Sequence, residues 1–373
     1  MHAPICDLLG IEHPIVGFTP SEHVAAAISR SGGLGVLGCV RFNDAAELDK
    51  VLDWMDASTD GRPYGVDVVM PATIPAEGAA IDLNQLIPAA HREFVEQTLL
   101  RLGVPPLPDG TQPAGGVLGW LHSVAREQVE VALGHPARLI ANALGPPPPD
   151  IIASAHDRGM LVAALAGKAA HARSHVAAGV DIVVAQGYEA GGHTGEIATM
   201  VLVPEVVDAV GPGVPVLAAG GVGSGRQVAA ALALGAAGAW MGSAWLVTSE
   251  YAALSPLPAV RDALLAATSS DTVRSRVYSG KPARLLRNRW TDAWSDPGAP
   301  EPLPMPLQNL LVAEAHQRLM AAGDPEVIPM PAGQIIGRMN EVRPVADVMS
   351  TLVAELEDTL ARLDGLRSPT VRR

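Results

Sequence analysis

The chain has 373 residues, which is long enough for one large α/β barrel or for two ordinary domains. Acidic side chains outnumber basic ones by 39 to 26, and the formal net charge of −13 excludes recruitment to nucleic acid or to an anionic membrane surface by charge. The two cysteines, Cys6 and Cys39, predict neither a disulfide framework nor a zinc site and fit a cytoplasmic protein. The first residues lack the basic and apolar regions of a signal peptide, so we do not expect secretion.

Short apolar runs alternate with helical segments along the first 250 residues, which is the pattern of parallel βα units. Eight runs predict strands, at residues 14–18, 34–37, 64–69, 138–142, 161–165, 181–185, 214–219 and 238–241. Helices are predicted between them at residues 21–30, 43–56, 123–133, 149–158, 167–178, 204–210 and 224–234. Eight alternations favour a closed (β/α)8 TIM barrel over an open sheet, and we assign residues 1–250 to it.

Two additions and one apolar stretch need separate interpretations. Residues 70–116 insert after the third strand, contain an amphipathic helical run over about 82–102, and predict either a lid over the site or an excursion that adds bulk or an interface. Residues 251–373 predict a C-terminal extension whose helices pack on the barrel. The uncharged stretch 228–247 has the length of a membrane span, but three glycines divide it, so we predict a buried helix, a turn and a short strand.

The sixth predicted strand runs into a loop, residues 185–196, with the sequence AQGYEAGGHTGE. The paired glycines Gly191 and Gly192 let the backbone approach a flat or anionic ligand closely. His193 follows them, where an imidazole that titrates near neutral pH could act as a base. The alternatives are that His193 only hydrogen-bonds its own loop, and that Glu189 binds backbone amides rather than orienting the imidazole.

Glycines also follow the seventh and eighth predicted strands, where (β/α)8 barrels commonly bind phosphate with loop amides and a helix N-terminus. The residues that offer amides and one hydroxyl there are Gly220, Gly221, Gly223, Gly242 and Ser243. We therefore predict a phosphorylated ligand at this edge. A Rossmann fingerprint is the weaker interpretation, because no acidic residue lies between residues 226 and 249, and glycines that serve only tight turns are the structural alternative.

Two polar groups outside these loops have plain interpretations. His171 and His175 lie four residues apart on a predicted helix, but no carboxylate has matching spacing, so we interpret them as a solvated face and predict no metal site. The basic residues within 274–289 either attract a nucleotide-like substrate tail or pair with the surplus carboxylates, and pairing is the default.

On these residues the chain resembles the nitronate monooxygenase family, formerly called 2-nitropropane dioxygenases, which are FMN-dependent (β/α)8 enzymes. The segments that carry the resemblance, in family order, are SGGLGVLG (31–38), AQGYEAGGHTG (185–195), PVLAAGGVGSGRQVAAALALGAAGAWMGSAWL (215–246), TVRSRVYSGKPARLLRN (272–288) and GQIIGRMNEVRPVADVM (333–349).

The resemblance implies bound FMN and assigns roles to residues named above. Its phosphate would lie on Gly220, Gly221, Gly223, Gly242 and Ser243, and its ring system near Gln186, Gly191 and Gly192. His193 would take the place of the family's active-site histidine, which removes the α-proton of a nitroalkane or holds the nitronate anion. Where the family commonly has an asparagine against the flavin, this chain has Asp67, which cannot donate as an amide does unless it is protonated.

The resemblance leaves two activities open, each with a small-molecule substrate. The first is oxidation of alkyl nitronates, or related stabilised carbanions, by dioxygen to a carbonyl compound and nitrite. The alternative is an FMN-dependent reductase that passes hydride from NAD(P)H to an unsaturated acyl thioester, as in the related enoyl-acyl-carrier-protein reductases. A non-catalytic binding protein is a third hypothesis, against which the glycine loops and His193 argue. No nucleic acid or membrane is expected as a partner, and a homodimer is left open.

Overall fold

Eight parallel strands close into a barrel in the computed structural model, which describes residues 3–70, 83–112, 122–254 and 258–366. In chain order the strands are β1 (Ile15–Thr19), β2 (Leu34–Gly38), β3 (Tyr64–Val68), β4 (Leu139–Asn142), β5 (Leu161–Ala166), β6 (Ile182–Gln186), β7 (Gly192–His193), β8 (Val216–Ala219), β9 (Gly238–Met241), β10 (Thr272–Ser275) and β11 (Ala283–Leu286). All but β7, β10 and β11 belong to the barrel, and β9 pairs with β1 to close it. The predicted (β/α)8 barrel is confirmed.

Helices surround the barrel, and α12 (Leu307–Ala322) contributes to a cavity at the C-terminal end of the strands. They are α1 (Pro4–Leu9), α2 (Glu22–Arg30), α3 (Ala45–Ser58), α4 (Ala89–Arg101), α5 (His122–Leu133), α6 (Pro149–Asp157), α7 (Ala169–Ala177), α8 (Thr199–Val210), α9 (Gly225–Ala233), α10 (Pro258–Ala266), α11 (Arg289–Ala293), α12 (Leu307–Ala322) and α13 (Val345–Gly365). The stretch 228–247 divides into the end of α9, a turn and β9, as predicted. None of the described helices combines the length and apolar character that crossing a membrane would require.

Two predicted helix starts differ from the structure, and a side-chain hydrogen bond to the first turn explains each. Helix α3 begins after Asp44, not Asn43, because the Asp44 carboxylate accepts a hydrogen bond from the Ala46 N–H at 2.9 Å. Helix α8 begins at Thr199, five residues before the predicted start at Pro204. There the Glu189 carboxylate accepts hydrogen bonds from the N–H and the hydroxyl of Thr199, which caps the helix from a distant loop.

The strands are apolar because both of their faces are buried. Side chains that point into the barrel pack in one cluster, which includes Val16, Val36, Ala141, Val184, Leu217 and Trp240. The opposite faces pack against the surrounding helices. Continuous apolar strands of this kind are typical of parallel sheets, and they leave polar groups to the strand ends.

Helix α13 completes the helical ring, although about a hundred residues separate it from β9. It packs against both α9 and α2. The Glu355 carboxylate on α13 accepts a hydrogen bond from the Gly225 N–H at the start of α9, at 2.9 Å. The Glu250 carboxylate accepts from the Val345 N–H at the start of α13 itself. The C-terminal extension therefore supplies a structural part of the barrel.

The described part of the insertion packs on the C-terminal helices. Helix α4 falls within the predicted helical run and shares an apolar cluster with α11 and α12. The buried Arg318 guanidinium of α12 pairs with Glu96 of α4 at 2.9 Å. Residues 71–82 and 113–116 of the predicted insertion lie outside the described residues, and its role as a lid stays a prediction.

Candidate active site

A cavity of about 440 Å³ opens at the C-terminal end of the barrel strands. Its floor is formed by side chains that point inward from the ends of the strands, including Phe18, Asp67, Leu165, Gln186 and Trp240. Most of the lining is apolar, and the polar groups are few. A cavity of this size and character is typical of a small-molecule or cofactor site, and its place in the barrel is where such enzymes bind their ligands.

His193 reaches the cavity because a hairpin holds its loop. Strand β7 pairs with β11, so that His193 lies opposite Ala283 in an antiparallel ladder, and β11 pairs with β10. The turn of this hairpin places the Ser279 hydroxyl 2.6 Å from His193 Nε2. Ser279 is fully buried and His193 is half-buried, so this contact holds the imidazole from the protein side of the cavity wall.

Burial keeps His193 neutral. Loss of solvent is the main cause that lowers its pKa to about 4, and the charge of Lys281 contributes in the same direction. The prediction of a histidine that titrates near neutral pH is therefore wrong for this environment. A neutral imidazole can donate one hydrogen bond and accept another, and a bound anion would raise its pKa again.

The loop that leads to His193 is anchored by a buried cation. The Arg284 guanidinium is 2% exposed, donates to the Tyr188 carbonyl at 3.0 and 3.2 Å, and lies over the Tyr188 ring. It forms no ion pair with a carboxylate of the described residues, so the expectation that the basic stretch pairs with surplus carboxylates fails at this position. Arg274 and Arg287 do pair with carboxylates.

Glu189 does not orient the imidazole. Its carboxylate is occupied by Thr199 at the start of α8, which agrees with the prediction that it binds backbone groups. The Thr194 hydroxyl donates to the Gly187 carbonyl at 2.7 Å and closes the loop on itself.

A second wall of the cavity consists of backbone. We call Gly220, Gly221, Gly242 and Ser243, at the ends of β8 and β9, the glycine rim. Gly220 and Gly221 have φ values of +94° and +70°, and a Cβ on Gly220 would lie 3.0 Å from the Gly187 carbonyl oxygen. Within the part of the chain that the structure describes, the N–H groups of Gly221 and Ser243 have no hydrogen-bond acceptor. They are therefore available to an anionic ligand.

The segment that begins at Gly333 closes the glycine rim from the C-terminal side. The Ser243 hydroxyl accepts a hydrogen bond from the Gly333 N–H at 2.8 Å, and the Gln334 N–H donates to the Glu189 carbonyl at 3.0 Å. Gly191 packs so closely against this segment that a Cβ would lie 2.6 Å from the Gly333 nitrogen. The loops after β6, β8 and β9 are thus held together by one distant stretch of chain.

The cavity brings together all the predicted site residues except Gly223. Its lining includes Asp67, Gln186, Gly191, Gly192, His193, Gly220, Gly221, Gly242 and Ser243. The Gly223 N–H donates instead to the Gln227 side chain at 3.0 Å, and its Cα faces Ile335.

Several lining residues were not predicted. Tyr278 lies in the β10–β11 hairpin, Asn309 on α12, and Tyr251, Met330 and Ile335 in connecting segments. Each comes from the C-terminal extension and none belongs to a motif with a recognisable chemical spacing. Only the matched segments around residues 272–288 and 333–349 could have directed attention to this region.

Of the two histidines on α7 that we predicted to be solvated, only one is exposed. His171 is exposed, but His175 is 3% exposed, and its Nε2 lies 3.0 Å from the Leu165 carbonyl oxygen. A group with metal-type ligands among the described residues, Asp53, Asp56 and His135, lies away from the cavity. Both nitrogens of His135 are already within hydrogen-bond distance of Asp56 and Asp49.

Comparisons with known proteins agree with this geometry. The model of the nitronate monooxygenase family matches residues 3–355. The chain is 51% identical to the "Putative monooxygenase Rv1533" of Mycobacterium tuberculosis, over 98% of this chain and 99% of that protein. It is similar in structure to the nitroalkane oxidase of Streptomyces ansochromogenes, with a TM-score of 0.80, 28% identity and coverage of 96% and 99%. FabK from Thermotoga maritima matches with a TM-score of 0.72, 26% identity and coverage of 98% and 99%.

Proposed function

This chain belongs to the nitronate monooxygenase family and is an oxidoreductase, and from that premise we propose that it uses FMN and dioxygen to oxidise alkyl nitronates or related stabilised carbanions. The products would be a carbonyl compound and nitrite. The observation that carries the proposal is the neutral, half-buried imidazole of His193 at the cavity wall, held by Ser279 in a mostly apolar cavity.

The residues present fit FMN. In the glycine rim, the N–H groups of Gly221 and Ser243 have no acceptor among the described residues, so they can donate hydrogen bonds to a phosphate. The backbone turns there because Gly220 and Gly221 have positive φ values. Gly192 leaves an open flank for a planar ring, since a Cβ added there would have no described atom within 4 Å, whereas Gly191 lets the loop pack against the segment at Gly333. Gln186 lines the cavity at the end of the same strand. Bound FMN would accept electrons from the substrate and pass them to dioxygen.

His193 would bind the anionic substrate or remove its proton. A neutral imidazole donates a hydrogen bond to a nitronate oxygen without adding a fixed charge to an apolar cavity. When the substrate is a neutral nitroalkane, the same side chain accepts the α-proton, and the anion that forms beside it stabilises the imidazolium. Ser279 keeps the ring in one orientation for both tasks.

Anaerobic mixing of FMN-loaded protein with propyl-2-nitronate tests this proposal. We expect the visible absorbance of the flavin to bleach with the nitronate alone, and nitrite and ketone to form once air is admitted. An unchanged flavin spectrum with the nitronate would reject the proposed substrate class. Failure of the purified protein to retain FMN would reject the cofactor as well and would favour a binding protein.

A reductase is the second candidate, and a specific observation favours keeping it. FabK from Thermotoga maritima matches nearly the whole chain, and the cavity wall formed by Leu144, Met330 and Ile335 would suit an apolar acyl chain. A parallel anaerobic mixture with NADH or NADPH separates the two. Bleaching only by the nicotinamide would assign the reductase activity, with an unsaturated acyl thioester as the substrate to test next.

A further inference from the structure

The cavity contains a second buried ionisable group, the carboxyl of Asp67, which the proposed mechanism does not use. Asp67 lies at the C-terminal end of β3, faces the cavity and is 3% exposed. Its neighbours at the same level of the barrel are Gly38 on β2 and Ala141 on β4. Neither has a polar side-chain atom, so the carboxyl is directed at whatever occupies the cavity.

No charged group compensates a negative charge on Asp67 within the described part of the chain. The Cys39 thiol, which interacts electrostatically with Asp67, donates to the Leu37 carbonyl, and burial raises the pKa of this thiol. Arg41, beyond Cys39, is paired with Glu22 at 2.6 Å. Across the cavity His193 is neutral, and burial raises the pKa of Tyr251 to about 12.

The environment therefore favours the protonated acid. Burial alone raises the pKa of Asp67 to about 7, so both forms of the carboxyl are populated at neutral pH before a ligand binds. A ligand that displaces water from the cavity would raise this pKa further, because the charged form would lose its remaining solvation. A protonated carboxyl can donate a hydrogen bond, which a carboxylate cannot do.

We propose that Asp67 is a proton-bearing contact of the cofactor, a neutral carboxylic acid that donates a hydrogen bond to an electronegative atom of FMN, so that FMN and a proton bind together. This inference rests on the proposed function, since it takes FMN as the ligand. It assigns to this site a specificity for ligands that present an acceptor or an anionic atom at the end of β3. It also makes cofactor affinity depend on pH through one residue.

The test compares Asp67→Asn with Asp208→Asn, which removes an exposed carboxyl on α8 away from the cavity. Infrared difference spectra of FMN-loaded protein at about pH 8 should contain a protonated carboxyl band in the wild type and in Asp208→Asn. The band should be absent in Asp67→Asn. Its absence from the wild type would overturn the proposal, even if Asp67→Asn failed to fold.

FMN affinity across pH gives a second readout. Between about pH 6 and about pH 9 we expect the affinity of the wild type to fall by on the order of 10- to 100-fold, since one proton must be bound with FMN. Asp67→Asn should lose most of this dependence, while Asp208→Asn should keep it. Equal pH dependence in wild type and Asp67→Asn would overturn the proton proposal and leave the proposed function intact. Failure of all three proteins to bind FMN would reject the proposed function, and this inference with it.

Discussion

Two walls of one cavity differ in the kind of group that they present to a ligand. The glycine rim uses backbone N–H groups, which carry no charge that can change with pH and whose positions follow from φ and ψ. The other wall includes the side chains of His193 and Tyr278, two titratable groups that burial holds neutral, and Ser279 supports His193 without lining the cavity. We infer that the rim determines whether a ligand binds, and the side chains determine which protons it keeps.

The substitution His193→Ala should distinguish the roles of the two walls most clearly. We expect turnover with propyl-2-nitronate to fall by on the order of 100-fold or more, because a positioned proton acceptor or hydrogen-bond donor is lost. FMN content should not change, since the glycine rim is intact. Steady-state oxygen consumption and the flavin absorbance measure the two quantities.

His171→Ala is the matched control, because His171 is exposed on α7 and does not line the cavity. Its turnover should equal that of the wild type. If His193→Ala kept its turnover at saturating substrate, His193 would have no place in the mechanism.

Gly220→Ala tests the rim. A methyl group there would lie about as close to the Gly187 carbonyl oxygen as a hydrogen-bonded atom, at 3.0 Å, and the φ of +94° disfavours any side chain. We expect the affinity for FMN to fall by on the order of 10- to 100-fold, from strain of about 1–3 kcal/mol. Fluorescence titration of the apoprotein measures it.

Gly213→Ala controls for the loss of a glycine near the same strand, because a Cβ there has no described atom within 4 Å and its φ is not in the left-handed region. Unchanged FMN affinity is expected. Similar losses in both variants would mean that the effect is not specific to the rim.

Ser279→Ala should have a smaller effect, because it removes an orienting group and leaves the imidazole. We expect turnover to fall by about 10-fold, in line with a lost hydrogen bond of about 1.4 kcal/mol. The pH profile of kcat/KM should also shift, which loss of packing alone would not cause. Ser275→Ala, in the same hairpin but outside the cavity lining, should leave the profile unchanged.

The smallest effect concerns stability and pH. His316 stacks on Tyr278, and burial lowers its pKa to about 4. Between about pH 4 and about pH 6.5 the unfolded chain therefore binds more protons than the folded chain, so stability rises with pH, by up to about 1.4 kcal/mol per unit for such a group. His316→Phe should flatten the dependence of Tm on pH in this window and match the wild-type slope near pH 8.

The barrel and the rim could be predicted because their signals are local. Eight apolar runs with intervening helices predict the barrel, and the glycines after β6, β8 and β9 lie directly at the strand ends that form the cavity. Gly223 shows the limit of this reasoning, since its N–H already donates a hydrogen bond to the Gln227 side chain, in the first turn of α9. A glycine-rich motif predicts that backbone is available, but the structure decides which amide is already used.

The partner of His193 could not be predicted, because it depends on contacts across 86 residues. Ser279 lies between two short strands with no motif around its hydroxyl, and only the pairing of β11 with β7 brings it to the imidazole. The same holds for the burial that lowers the pKa of His193, which the sequence predicted to be near neutral. The sequence shows which side chains are close to a residue along the chain, but the exclusion of solvent from that residue depends on the whole fold.

The late position of α13 has a consequence for how the protein is made. The helix that seals α9 and α2 leaves the ribosome after all eight barrel strands, and the segment at Gly333 that locks the three glycine loops emerges only shortly before it. During synthesis the nascent barrel therefore has one uncovered apolar flank, on α9 and α2, until α13 has emerged. Chaperone capture of the stalled chain should peak with about 340 residues exposed and vanish once α13 has emerged.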